Sequence, residues 1–573
     1  MDRDSGTPTY CYTFGGLVDR SIYQKGLNIY RSNIIKDYPQ GVNCGNTFLL
    51  PNNVFLGTSQ CMTKNNVLGH GCGDNTFGDN CQHNIFGNDC SLNTFGIGCY
   101  SNIFGRSCVS NTLGSGCYYN IFHQECGSNT FGNGCYSNTL GDSCFYNKFD
   151  YNCFCNHFGE RCYSNTFGSD CHSNTFAVEC YSNIFGNECN SNTFGNECYS
   201  NNYSKDCSSN KFGDNCSFNT FNTSCKNNIF GNYCSDNEFD HSCDSNKFDD
   251  NCGSNIFDYY CSYNTFGNYF RINTFGNNCK YNIFGDACSS NSFGNLCSNN
   301  TFCNNCDNNN FDSECSDNIF GNHCNSNSFG IECNSNTFGN SCNSNSFGEG
   351  CSLNTLGKWC VSNTFNDACG SNSFGVDCSA NTFGNECNSN MFGNQCYHNT
   401  FSDYCTSNTF GNECAYNNIG YECSCNKFGI DCGHNKLGEG CSRNIFGNHC
   451  YNNTFILYCS HNIFGSNCDN NEFCAECYYN TFASQCSFNT LGHGSLNENY
   501  YEYIEFKNCV SYIDLTTTTP LDENETYVRN VIINLGVCGT SDKRRTITIE
   551  RGLPYSTTIS ASNSTEIILD EDY

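Results

Sequence analysis

Proline is all but missing from this chain. Its 573 residues hold five, at positions 8, 39, 51, 520 and 554. The long interior therefore keeps every backbone N–H as a donor, which continuous strand pairing requires. Basic residues are also scarce: 25 Lys and Arg stand against 55 Asp and Glu, for a formal charge of −30. That balance argues against nucleic acid as a partner, since phosphates need Lys and Arg, and it keeps a long particle soluble. No apolar run is long enough to span a bilayer. The opening Met1-Asp-Arg-Asp-Ser-Gly is polar and no apolar h-region follows it, so no signal peptide is expected.

What is present is a strict period of nine. From Cys72 to Cys486 in steps of nine there are 47 positions, and cysteine fills all but one, which is Phe270. The position three later, from Asn75 through Asn102, Asn129, Asn192 and Asn273 to Asn489, is asparagine all 47 times. The position five later is Phe in 40 cases, as at Phe77 and Phe194, and Gly usually follows it. Cys189-Asn-Ser-Asn192-Thr-Phe194-Gly195-Asn-Glu is a representative unit. A period this strict predicts a stacked solenoid in which each unit contacts only its neighbours. The fold class expected is all-β, a β-solenoid.

Numbering each unit from its cysteine as position 0, Asn at +3 and Phe at +5 share the inner face of a strand and +4 points outward. Gly at +6 and the frequent Asn, Asp or Ser at +7 read as turn chemistry. The core is then a stack of like residues about 4.8 Å apart. Phe rings stack offset, and Asn amides pass hydrogen bonds from coil to coil. An unpaired buried amide costs about 1–3 kcal/mol, which accounts for the absence of any substitute at +3, whereas Leu113, Ile419 and Tyr203 replace Phe at +5.

Substitution patterns suggest the size of a coil. The +5 leucines at 113, 140, 356, 437 and 491 are separated by multiples of 27, as are four of the +6 exceptions, His123, Asp150, Ala177 and Ser204. The outward Thr112, Thr139, Thr166, Thr193 and Thr220 follow the same step. These point to a three-sided coil of 27 residues, about sixteen coils in a rod of roughly 75 Å. The alternative is a flat two-sided coil of two units, about 18 residues per turn. Eight of the ten +4 isoleucines favour it by falling on alternate units.

The chain divides by pattern into residues 1–43, a cap or attachment segment without the period; 44–492, the solenoid, with slips before Cys72; and 493–573, a small β module. That module shows strand-like runs at Tyr500–Phe506, Tyr527–Leu535 and Arg545–Glu550, suited to covering an open sheet edge and presenting a binding end.

The cysteine file permits two readings. Cα atoms one coil apart fall within disulfide range, or the cysteines are buried, small, apolar corner residues. Phe270, a large group where a bridge needs sulfur, favours free thiols. The close pairs Cys153/Cys155, Cys303/Cys306, Cys423/Cys425 and Cys474/Cys477 each use one periodic cysteine, and no second cluster completes a zinc site. A calcium-binding roll needs Asp at a fixed turn position, and here the fixed polar residue is an inner Asn. Histidines such as His83, His157, His172 and His398 scatter without a fixed partner, and no carboxylate pair stands out for glycan hydrolysis. The outward threonines suggest ice binding, yet Lys247 and Lys436 interrupt them, and β-branched residues are ordinary on strands. No catalytic residue, cofactor or metal is expected.

The tandem Cys-x-x-Asn-Thr-Phe-Gly-Asn-x units resemble the repeats of fibre- or spike-like proteins in tailed phages of gut bacteria. The segment Val531-Ile-Ile-Asn-Leu-Gly-Val-Cys-Gly-Thr-Ser-Asp-Lys-Arg-Arg-Thr-Ile-Thr-Ile549 is similar to the ends of such proteins. The resemblance implies a non-enzymatic, rigid, protease-resistant shaft at a virion surface or outside the cell. It also implies a receptor-binding end that meets a host glycan or protein, and assembly as a homotrimer. A β-helical tailspike that cleaves surface polysaccharide is the alternative. The perfect register from 72 to 486, with no insertion to form a groove, favours the shaft.

Overall fold

Two residues of every nine, +4 and +5, form the strands. Thr193–Phe194 is typical, with the outward residue exposed and the ring buried. The computed structural model describes residues 64–491 except 475, 478, 484 and 487, and beyond that range only the backbone of ten short strands. The chain divides into two compact units, Met1–Gly285 and Asp286–Tyr573. The described part of each is a parallel β-solenoid without helix.

The register sets the coil at two repeats, so that bonded partners lie 18 apart in sequence. Thr112 and Leu113 pair in parallel with Thr130 and Phe131, and Thr175 and Phe176 with Thr193 and Phe194. In the second unit Thr382 and Phe383 pair with Thr400 and Phe401. Each turn therefore lays one repeat on each of two flat faces, and the 27-residue coil is corrected to its alternative. Residues 64–285, at 18 per turn, make about twelve turns, a stack of roughly 58 Å.

The aromatic rings explain why two sides suffice. Phe77 stacks on Phe95 one turn away at 4.6 Å and meets Phe86 of the opposite face edge-on at 5.3 Å. Around Phe212 the same herringbone holds, with 4.8 Å to Phe194 and 5.5 Å to Tyr203. Rings from two sheets about 10 Å apart thus meet and fill the interior, whereas a third side would open a core too wide for one Phe per repeat. The +5 leucines do not share a face: in the first unit Leu113 and Leu140 lie on opposite faces, so their 27-residue spacing is coincidence. The +4 isoleucines of the first unit segregate five to two, with Ile184 and Ile256 on the face opposite the other five. Ile85, Ile103, Ile121, Ile229 and Ile283 share one face of the first unit, hereafter the isoleucine face.

Ahead of the regular repeats, Thr13–Phe14 and Asn33–Ile35 pair in parallel with Thr47–Phe48 and Asn53–Phe55. Beyond them, Glu502–Lys507 continues the parallel ladder from Asn480–Phe482, and Arg529–Asn534 pairs antiparallel with Arg544–Ile549. The cap and binding-end roles expected of residues 1–43 and 493–573 otherwise lie outside the described residues.

Candidate functional site

The most distinctive chemistry of this chain is internal. Asn192 is fully buried, and every polar atom of its side chain is used. Its backbone N–H and its Nδ2 both donate to Oδ1 of Asn210, one turn on, at 2.9 and 3.1 Å. Nδ2 donates a second bond to the Cys171 carbonyl at 3.2 Å. Its own Oδ1 accepts from N–H and Nδ2 of Asn174 at 2.9 and 3.1 Å. The same pattern recurs at Asn75, Asn102 and Asn129, Asn273 accepts from Asn255, and Asn489 accepts from Asn471 and donates to Cys468. An amide is the one side chain that offers both a doubly accepting oxygen and a two-proton donor here. The predicted ladder residues are therefore brought together as expected, one file behind each face.

The cysteines serve the same ladder from the corner. Cys189 Sγ donates to the Gly168 carbonyl at 3.2 Å, and the Cys189 carbonyl accepts from Asn210 Nδ2 at 3.2 Å. Cys72 is likewise buried, and its carbonyl accepts from Asn93 Nδ2. All the cysteines among the described residues are thiols rather than bridges. Hydrogen bonding to Cys180 and burial push the Cys198 thiol up to about 12, and Cys306 and burial do the same for Cys324. Phe270, in the same file, turns into the core 4.1 Å from Phe266. It tilts Phe266 to 29° against Phe248, where the neighbouring pairs Phe239–Phe257 and Phe230–Phe248 lie at 5° and 7°.

A thiol reagent should therefore read the architecture. Among the described cysteines of the native protein it is expected to label the exposed Cys155, Cys303 and Cys425 first and the half-buried Cys474 more slowly. The periodic cysteines should react only after denaturation. Peptide mapping checks this, and native labelling of Cys189 would refute it.

Three features escaped the sequence reading. The +7 Asn and Asp form an outer ladder: Asn196 Oδ1 accepts from Asp214 N–H at 2.9 Å and Asp214 Oδ1 from Asn232 N–H at 2.8 Å. Ser, Asn and Asp at +1 do the same, as Ser208 Oγ does for Lys226 N–H at 3.0 Å. The excess of short polar residues at these positions is the signal, and at +7 it coincides with turn propensity. Positions +2 and +8 are left-handed, as at Ser191 (φ 58°) and Glu197 (φ 59°), and are mostly not glycine. Glycine is preferred instead at +6, where a Cβ on Gly186 would lie 2.7 Å from the Gly168 carbonyl carbon. The need there is close approach of successive turns, not conformational freedom.

Tyr203 is the misfit of the inner file. It stands fully buried in a phenylalanine position, and its Oη has no hydrogen-bond partner. Burial pushes its phenol well above the ordinary range. Removing an unpaired buried hydroxyl relieves roughly 1–3 kcal/mol, so Tyr203→Phe is expected to raise the melting temperature. A lower melting temperature by calorimetry would show that the hydroxyl is satisfied.

Among the described residues no group of three or more His, Cys, Asp or Glu is arranged to hold a metal ion. Nor is any helix long and apolar enough to cross a membrane. His83, His157, His172 and His398 lie outward and do not converge. No protein-family model matches the chain, and no curated protein is significantly similar to it.

Proposed function

We propose that this chain is a non-enzymatic structural shaft of a fibre or surface adhesin, and that it presents a receptor-binding end. One observation carries the reading. In each unit successive turns keep the two-repeat register, with every ladder amide bonded to the next, so the described repeats contain no insertion from which to build a cleft. A stack of this kind transmits position and resists unravelling, because each turn is held on both faces at once. Its polar chemistry is directed at its own backbone, which suits a spacer and leaves recognition to other parts of the chain. The likeness of its repeats to phage fibre proteins suggests a virion or extracellular setting, with a host glycan or protein as the receptor.

Incubating the full chain with bacterial capsular and surface polysaccharides tests the proposal. Binding without release of oligosaccharides is expected. Chain cleavage would overturn the shaft in favour of a polysaccharide-degrading spike.

A further inference from the structure

One stretch of the isoleucine face carries a feature that the inner ladders do not need. At +1 of successive turns stand Tyr100, Tyr118, Tyr136, Phe154 and His172, half-buried and stacked face to face. Their centroids are 4.9, 4.9, 5.1 and 5.2 Å apart and their planes within 6° of parallel. Gln82 continues the file and accepts a hydrogen bond from Tyr100 Oη. Beside the rings runs the aliphatic file Ile85, Ile103 and Ile121, of which Ile85 and Ile121 are exposed. Tyr119, 57% exposed, packs edge-on against Tyr118.

From Gln82 to Thr193 no Asp, Glu, Lys or Arg occupies an outward +1, +2 or +4 position of this face. The charges of the same-face repeats, including Arg106, Glu125 and Asp142, stand at the corner positions +7 and +8. In a chain of charge −30, the result is a strip free of Asp, Glu, Lys and Arg, made of ring edges, phenol hydroxyls and isoleucine methyls with His83, His157 and small polar residues such as Ser101 and Thr139 among them.

The stacking decides what can lie on it. The ring faces are taken up by one another, so the strip offers edges and hydroxyls rather than free aromatic planes for a sugar. Its relief repeats once per turn, and a rigid partner keeps contact over several turns only if it has the same repeat. A second copy of this chain has it. Two such copies repel elsewhere through their acidic corners, and this strip lets them meet without apposing carboxylates. Six turns of about 4.8 Å by five residues of about 3.4 Å give roughly 500 Å² per copy, or about 1,000 Å² in total. That reaches the lower bound for a specific interface.

We propose that this face is the contact of an isologous dimer, pairing with the same face of a second copy. Sedimentation equilibrium of the full chain tests it. The wild type is expected at twice the chain mass. Ile103→Lys/Ile121→Lys is expected to weaken association about 100-fold, because like charges would then face each other across the seam. Lys211 and Lys247 already stand at +4 on this face, so the substitution is compatible with folding. Thr112→Lys on the opposite face, whose +4 file already holds Lys148, should leave the dimer intact. Tyr136→Lys is a second probe of the same strip, with circular dichroism as the check on folding. A monomeric wild type, a trimer, or a dimer indifferent to Ile103→Lys/Ile121→Lys would overturn the proposal.

Discussion

Raising the pH from 9 to 11 is expected to unfold the repeats cooperatively. The cause is the file of buried thiols. In the fold a thiol such as Cys198 or Cys324 keeps its proton to about pH 12. In the unfolded chain it loses it from about 8.5–9. Its folded pKa is raised, so its contribution to stability is fully present below pH 9 and is lost as pH rises toward 12. Between those limits unfolding releases a proton per thiol, and stability falls by about 1.4 kcal/mol per thiol per pH unit.

Cys189 and Cys198 share one turn and both are raised, so that turn loses nearly 3 kcal/mol per unit once well above pH 9, or about 1.4 kcal/mol for each. Typical domains hold only about 5–15 kcal/mol in total. The β signal in circular dichroism and the ultraviolet absorbance of thiolate should therefore change together. A solenoid that stays folded at pH 11 while thiolate appears would refute the account. It would mean that the core accommodates the charged sulfurs.

Cutting one rung of the amide ladder should be the most damaging single substitution. Asn192→Leu leaves the N–H and Nδ2 of Asn174 without their acceptor and the Cys171 carbonyl without its donor. At about 1–3 kcal/mol for each of the three stranded buried groups, the loss is roughly 3–9 kcal/mol. Asn192→Asp should be worse at neutral pH. Its carboxylate would set oxygen against Oδ1 of Asn210 and the Cys171 carbonyl, in a site with no countercharge.

Burial raises the introduced carboxyl's folded pKa. Its penalty is therefore small below the unfolded value near 4 and grows as pH rises above it. Thr193→Val next door, on the exposed side of the same strand, should change stability by less than about 0.5 kcal/mol. Because turns contact only their neighbours, the damage should be local and should split one unfolding transition into two. Denaturant titration followed by hydrogen exchange checks this. An Asn192→Leu protein as stable as Thr193→Val would show that the ladder is not what holds the turns.

Much of this was legible in the residues. The invariance of +3 required an amide whose loss strands neighbours on both sides, and Asn192 has those bonds. The tolerance at +5 required contacts that are only apolar, and the buried Leu113 and Ile419 fit them. Coil size was not legible from the leucines or threonines, because +5 accepts Leu on either face and outward Thr contacts solvent. Isoleucine held the usable signal, because it is apolar and gathers where its register partners are apolar too, as in Ile85, Ile103 and Ile121. The outer Asn and Asp ladder was hidden because a residue that bonds the next turn has the same composition as one that bonds its own turn.

The sequence by itself determined the strand, the inward Asn and Phe, the buried cysteine corner and the all-β stack. All of these follow from a period of nine and from the cost of an unpaired amide. The tertiary structure decided what depends on which units become neighbours. It closed the coil at two sides, because rings from two sheets already fill the space between them. It turned the cysteines into thiol donors to the turn below, and it gathered Tyr100, Tyr118 and Tyr136, each one turn from the next, into one stacked strip. A nine-residue pattern states what each position must be. Only the closing of the coil states which positions meet.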